Sequence, residues 1–126
     1  RILHLSCHGH PNYLLLEDGK GDSHKIHISK LKEQIEKLHA SSNESCLDMA
    51  FLSACDTENC AKAIYDAGVP HVICCKRDLD LLDSAATKFA ASFYRALALG
   101  NAIGKAFNIA RDAVGISKSQ DAAIEA

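Results

Sequence analysis

Leu47-Asp-Met-Ala-Phe-Leu-Ser-Ala-Cys-Asp-Thr-Glu-Asn-Cys-Ala-Lys-Ala-Ile-Tyr-Asp-Ala-Gly-Val-Pro-His-Val-Ile-Cys-Cys75 is the stretch whose reading decides the fold. Residues 47–54 form an apolar run of strand length. A helix is predicted from about Asn59 to Ala67, closed by Gly68 with Pro70 just beyond it. Residues 69–75 then read as a second apolar strand. The connection is long enough for a crossover helix, so the two strands are expected to run parallel. A strand–helix–strand unit of this kind places the chain in the α/β class.

Working outward toward the N-terminus, residues 2–7 are a short apolar run bounded by Gly9 and Pro11. Residues 13–16 are another, followed by the turn-forming Asp18-Gly-Lys-Gly-Asp22. Both read as strands joined by a tight loop, with residues 25–28 as a brief extended piece. Ser29 is a candidate N-cap for a helix whose stripe is Leu31, Ile35 and Leu38 and whose last turn holds Lys37 and His39; residues 40–45 read as a loop.

Toward the C-terminus, residues 76–80 are a polar link. A helix begins near Asp83 or Ser84, carries Phe89, Phe93, Tyr94 and Leu97 on one face, and stops at Gly100. A further helix begins near Asn101, carries Ile103, Phe107 and Ala110, and ends at Gly115. The aromatics Phe89, Phe93, Tyr94 and Phe107 lie at helical spacing and read as core. Both helices are expected to pack on the sheet. Beyond Ser117 the chain reads as a frayed tail or the stub of a helix. The order of elements predicts an α/β sandwich with a mostly parallel sheet flanked by helices.

The 126 residues are enough for one domain with its own core. The chain opens on Arg1 inside a strand, so it is expected to be a segment of a longer protein. With 14 basic and 16 acidic side chains scattered along its length, it has no field that would gather nucleic acid or anionic lipid. No apolar run approaches the ~20 residues of a membrane span, and no signal-peptide pattern is visible, so a cytoplasmic protein is expected.

The six cysteines lack the regular spacing of a secreted disulfide framework. Cys7, Cys74 and Cys75 sit in apolar runs, and the adjacent Cys74 and Cys75 read as small hydrophobes. Cys7-His8-Gly-His10 invites a metal reading, yet a structural zinc site needs four converging ligands and no second pair follows at the usual spacing. No metal or organic cofactor is expected.

Two of the apolar runs end in reactive side chains: His8, followed by Gly9, and Cys55, followed by Asp56. In parallel sheets, reactive groups collect at the carboxyl ends of strands, where both residues fall. A thiol of ordinary acidity is mostly protonated at neutral pH, so a nucleophilic Cys needs an imidazole or a helix N-terminus beside it. His8 can take the thiol proton and later protonate a leaving amine. Gly9, lacking a Cβ, can bring its amide close to a substrate carbonyl, and with the Cys55 amide it can hold an oxyanion. Cys55 also reads as one more buried thiol, and Asp56 either as a substrate-side carboxylate or as a cap for the following helix.

His4-Leu-Ser-Cys-His8-Gly9, Leu52-Ser-Ala-Cys55-Asp56-Thr57, Ala67-Gly68-Val69, Asp83-Ser-Ala-Ala-Thr-Lys-Phe89 running into Phe93-Tyr94, and the helix between Gly100 and Ala110 occur in one order. Together they resemble the CHAT domain, a caspase-like peptidase group related to separases. The resemblance implies a caspase-like three-layer sandwich over residues 1–126, with 116–126 as a tail and the fold's first strand and helix upstream of Arg1. It implies a thiol endopeptidase acting on a protein substrate, with a His8–Cys55 dyad, oxyanion-binding amides at Gly9 and Cys55, and gating by an adjacent TPR-like helical-repeat domain or partner. It also implies an acidic residue that receives a basic substrate side chain, for which Asp83 and Asp80 are the candidates. The chain has no Trp before that segment, where many members carry Leu-Trp. The alternative is a non-catalytic interaction module that keeps the fold and uses its cleft to hold a partner.

Overall fold

A computed structural model describes residues 1–41, 47–75, 83–115 and 123–125, and the side chains of Asp83 and of 123–125 are outside what it describes. The chain divides into two compact units, 1–78 with 122–126, and 79–121.

The first unit is built on a sheet of four strands in the order β1 (Ile2–Ser6), β5 (Met49–Ser53), β6 (His71–Cys74), β7 (Ala123–Glu125). β1, β5 and β6 are mutually parallel, and β7 is antiparallel to β6. A strand–helix–strand crossover requires parallel neighbours, and α2 (Glu58–Asp66) supplies it between β5 and β6. Met49 to Leu52 are all buried, as expected for a central parallel strand covered on both faces. β1 instead alternates, with Leu3 and Leu5 half-buried and Ile2, His4 and Ser6 exposed. His4 stacks on Phe51, with ring centroids 4.8 Å apart.

α1 (Ile28–Ser41) and α2 close one face of this sheet. Ile35, Cys60, Ala61 and Ile64 pack with Ala50, Leu52, Val72 and Cys74 in a single core that Leu3, Leu5 and Leu31 extend. α2 stops where Gly68 adopts φ +107°, a conformation open to a residue without a side chain. A Cβ there would also meet His39 Nδ1 at 2.9 Å, so that glycine lets the end of α2 approach α1.

A separate antiparallel sheet, β2 (His8–Gly9), β3 (Tyr13–Glu17) and β4 (Ser23–His27), stands between β1 and α1 in the chain. The second unit is a helical hairpin, α3 (Asp83–Ala98) and α4 (Ile103–Val114). Phe89, Phe93, Ala96, Ala106, Phe107 and Ala110 are buried, with the Phe89 and Phe107 rings edge to face at 5.4 Å, and Gly115 in the left-handed region ends α4. The parallel β1-β5-β6 run with its helices is a mixed α/β fold compatible with a caspase-like sandwich.

Four expectations are corrected. The strands at 2–7 and 13–16 are not joined by a tight loop alone: a two-residue strand intervenes, and β3 pairs with β2 and β4. α1 begins at Ile28, so Ser29 lies inside its first turn and is not its cap. Ala40 and Ser41 are helical, while the rest of the expected loop, 42–45, lies outside the described residues. Ala123–Glu125 pairs edge-on with β6, which overturns the helix stub expected near the C-terminus. The polar link at 76–80 lies outside the described residues.

The core fixes an alkaline limit. Burial pushes the Cys60 thiol up to about 12, with the charge at Cys7 adding to it. Burial, then the charge at Cys55, pushes Cys75 up to about 11. The folded chain thus holds both protons more tightly than the unfolded chain. Their contribution is complete below the ordinary thiol value of about 8.5 and is lost as pH rises toward 11 and 12. Thermal denaturation is expected to show a midpoint that falls by several degrees between pH 8 and 10.5. That fall should be smaller in Cys60→Ala and Cys75→Ala, and a slope unchanged in both would assign it to other groups.

Candidate active site

Because β1 and β5 are parallel and in register, with Ser6 opposite Ser53, both leave the sheet at the same edge. The Cys7 amide still donates to the Ser53 carbonyl at 3.3 Å, carrying the pairing one step further. His8 and Cys55 then stand at equivalent positions, each two residues beyond the last paired residue of its strand. Both are exposed.

The two main chains meet directly. A Cβ placed on Gly9 would lie 1.7 Å from the carbonyl oxygen of Cys55, 2.9 Å from its carbonyl carbon and 2.9 Å from Thr57 Cγ2. Only glycine permits this approach, because the obstacle is backbone and cannot swing aside. The missing side chain is therefore required by the main-chain carbonyl of Cys55, a reason that the sequence does not disclose. In the antiparallel register Gly9 pairs with Leu14 and turns inward, while His8 pairs with Leu15 on the outer face. Since β2 is the edge of its sheet and only two residues long, His8 sits on the rim beside the Cys55 turn.

Past β5 the chain reverses sharply into α2. Asp56 adopts φ 56°, and it is the described non-glycine residue with positive φ; Asp is among the few L-residues that enter this region readily. The turn is held by Thr57, which is fully buried. Its hydroxyl donates to the Ala54 carbonyl at 3.0 Å and accepts from the Cys75 amide at 3.3 Å. Its own amide donates to the Cys75 carbonyl at 3.2 Å. The end of β6 thus clamps the turn that presents Cys55. Thr57, not Asp56, occupies the N-cap position of α2, which corrects the capping reading of Asp56. The Thr57 hydroxyl makes no cap bond, being committed to Ala54 and Cys75.

Exposure sorts the thiols. Cys60, Cys74 and Cys75 are buried and Cys7 is half-buried, whereas Cys55 is exposed. Cys46 lies outside the described residues. This disposes of the reading of Cys55 as a buried thiol. Asp56 is half-buried in the turn. Asp80 lies outside the described residues, and Asp83 opens α3 with its side chain likewise outside them.

Sequence reasoning missed the role of Thr57. A Thr before a helix looks like an ordinary cap, and its partner Cys75 lies 18 positions away.

A parallel sheet that delivers a His-Gly pair and a turn-borne Cys to one edge is what the sequence motifs lead one to expect of a CHAT domain. The chain matches the CHAT domain family over residues 1–122, and it belongs to that family. No curated protein matches it. Among the described residues no helix is long and apolar enough to cross a membrane.

Proposed function

We propose that this domain is a cysteine endopeptidase that cleaves a protein substrate. The observation carrying this reading is the contact of Gly9 with the Cys55 carbonyl, which sets the His8 strand against the turn bearing the exposed thiol. His8 takes the Cys55 proton, and the sulfur attacks the scissile carbonyl. The amides of Gly9 and Cys55 hold the oxyanion, each such donor being worth about 3 kcal/mol of barrier. The tetrahedral intermediate expels the amine, which His8 protonates, and leaves a thioester. Water, giving its proton to His8, hydrolyses that thioester and restores the thiol. No metal or organic cofactor enters this sequence. An adjacent helical-repeat domain or partner gates the site.

Incubation with a peptide library is expected to give cleavage that Cys55→Ala and His8→Ala each reduce at least roughly 1,000-fold. Iodoacetamide is expected to alkylate Cys55 ahead of the other thiols, and His8→Ala to slow that reaction. Cleavage that survives both substitutions would remove the peptidase reading. A Cys55 that reacts no faster than its siblings in every state would favour the non-catalytic interaction module.

A further inference from the structure

The outer face of the β2-β3-β4 sheet is a continuous surface that begins at His8. Directly opposed residues of antiparallel strands share a face, and so do alternate residues along a strand. The register His8–Leu15–Lys25 and Tyr13–His27 therefore puts these five side chains on one side. The core residue Leu14 points to the other.

Tyr13 is the centre of this surface. The His10 ring stacks on it at 4.1 Å and 12°, and the His27 ring meets it edge-on at 6.0 Å. Lys25 Nζ stands 4.7 Å from its ring centroid. Neither His27 nor Lys25 forms an ion pair among the described residues, and both are exposed. The carboxylate of Glu17 lies at the far end of β3, opposite Ser23. Although several imidazoles gather here, no three His, Cys, Asp or Glu among the described residues converge as metal ligands.

We infer that this face docks the substrate polypeptide, and that it selects an extended acidic segment on the leaving-amine side of the scissile bond. The inference rests on the peptidase reading and names its substrate class. Charge complementarity chooses the occupant: an ammonium and imidazole N–H donors fixed around an aromatic ring offer partners to carboxylates. Position chooses the side, because the imidazole that protonates the leaving amine stands next to the residues released with it. Lys25 is two strand spacings, about 9.5 Å, from the His8 strand, and an extended chain advances about 3.3 Å per residue, so the contact falls about three residues beyond the scissile bond.

The test uses fluorescein-labelled peptides of one scaffold with three Glu, three Gln or three Lys in that segment, titrated by anisotropy into the full chain carrying Cys55→Ala. The Glu peptide is expected to bind about 5-fold or more tightly than the Lys peptide, the scale of one or two exposed charge contacts. Lys25→Glu should invert the order, and Tyr13→Ala should weaken the Glu peptide. Equal affinities, or a Glu preference untouched by Lys25→Glu, would overturn the inference. So would equal binding of a single-stranded oligonucleotide of the same charge, which would mark a general polyanion surface. The unsubstituted chain is then assayed for cleavage of the same peptides. Cleavage without charge preference overturns the docking surface and keeps the peptidase, whereas selective binding without cleavage does the reverse.

Discussion

Gly9→Ala is expected to lower the denaturation midpoint by roughly 10 °C and, in whatever folded protein remains, to cut peptide cleavage at least about 100-fold. The added methyl would sit 1.7 Å from the Cys55 carbonyl oxygen, far inside any contact distance, with the Thr57 methyl at 2.9 Å closing the other side. Neither neighbour can yield cheaply. The Cys55 carbonyl belongs to a turn fixed through Thr57 to Ala54 and Cys75, and the Gly9 strand is pinned by pairing with Leu14 and by the Cys7 to Ser53 bond just before it.

Overpacking by one methyl in a yielding site costs about 1–3 kcal/mol, and a backbone obstacle puts this case at the top of that range. The alternative relief is to part the two segments, which keeps more stability and gives up the alignment that the proposed His8–Cys55 dyad needs; a misplacement of ~1 Å is worth about 100-fold in rate. Calorimetry and steady-state cleavage separate the two costs. Gly104→Ala is the control, since a Cβ there meets nothing within 4 Å and the position is helical, so a small stabilisation is expected. A Gly9→Ala chain with unchanged midpoint and rate would show that the close approach does not exist in solution.

The sequence made the central unit readable because its signals are local. Met49 to Leu52 is apolar on both faces, Gly68 and Pro70 punctuate the end of α2, and Phe89, Phe93 and Phe107 repeat at helical spacing. The candidate pair His8 and Cys55 stands out for a related reason, each residue following directly on an apolar run that ends at the sheet edge. What stayed hidden depends on partners distant in the chain. β2 has two residues, too few to show any period, and its existence follows from pairing with Leu14 and Leu15.

Ala123–Glu125 has the composition of a helix end, yet β6 offers an open edge whose hydrogen-bonding groups outweigh local propensity. The reason for Gly9 and the task of Thr57 likewise appear only once β2 and the end of β6 are brought against the Cys55 turn. Local pattern thus singles out Cys55, and long-range pairing fixes its pose.

Thr57→Val tests that division, and it is expected to destabilise the fold by about 2–4 kcal/mol while Thr57→Ser stays close to the parent. Valine fills nearly the same volume, so the packing of this fully buried side chain is retained and only the hydroxyl is lost. The Ala54 carbonyl then has no donor at 3.0 Å, and the Cys75 amide no acceptor at 3.3 Å. An unpaired buried polar group costs about 1–3 kcal/mol, and here two are created at once. Water cannot repair both without entering the space that the valine methyl fills.

The bond from the Thr57 amide to the Cys75 carbonyl survives, so β6 and the turn should loosen without separating. Asp56, held at φ 56°, is then free to relax toward a commoner conformation, turning the Cys55 thiol away from the rim that His8 occupies. The expected signature is a slower reaction of Cys55 with iodoacetamide at a temperature where the variant is fully folded, restored in Thr57→Ser. If Thr57→Val keeps both the stability and the thiol reactivity of the parent, the hydroxyl bridge from Ala54 to Cys75 does not set the pose of Cys55.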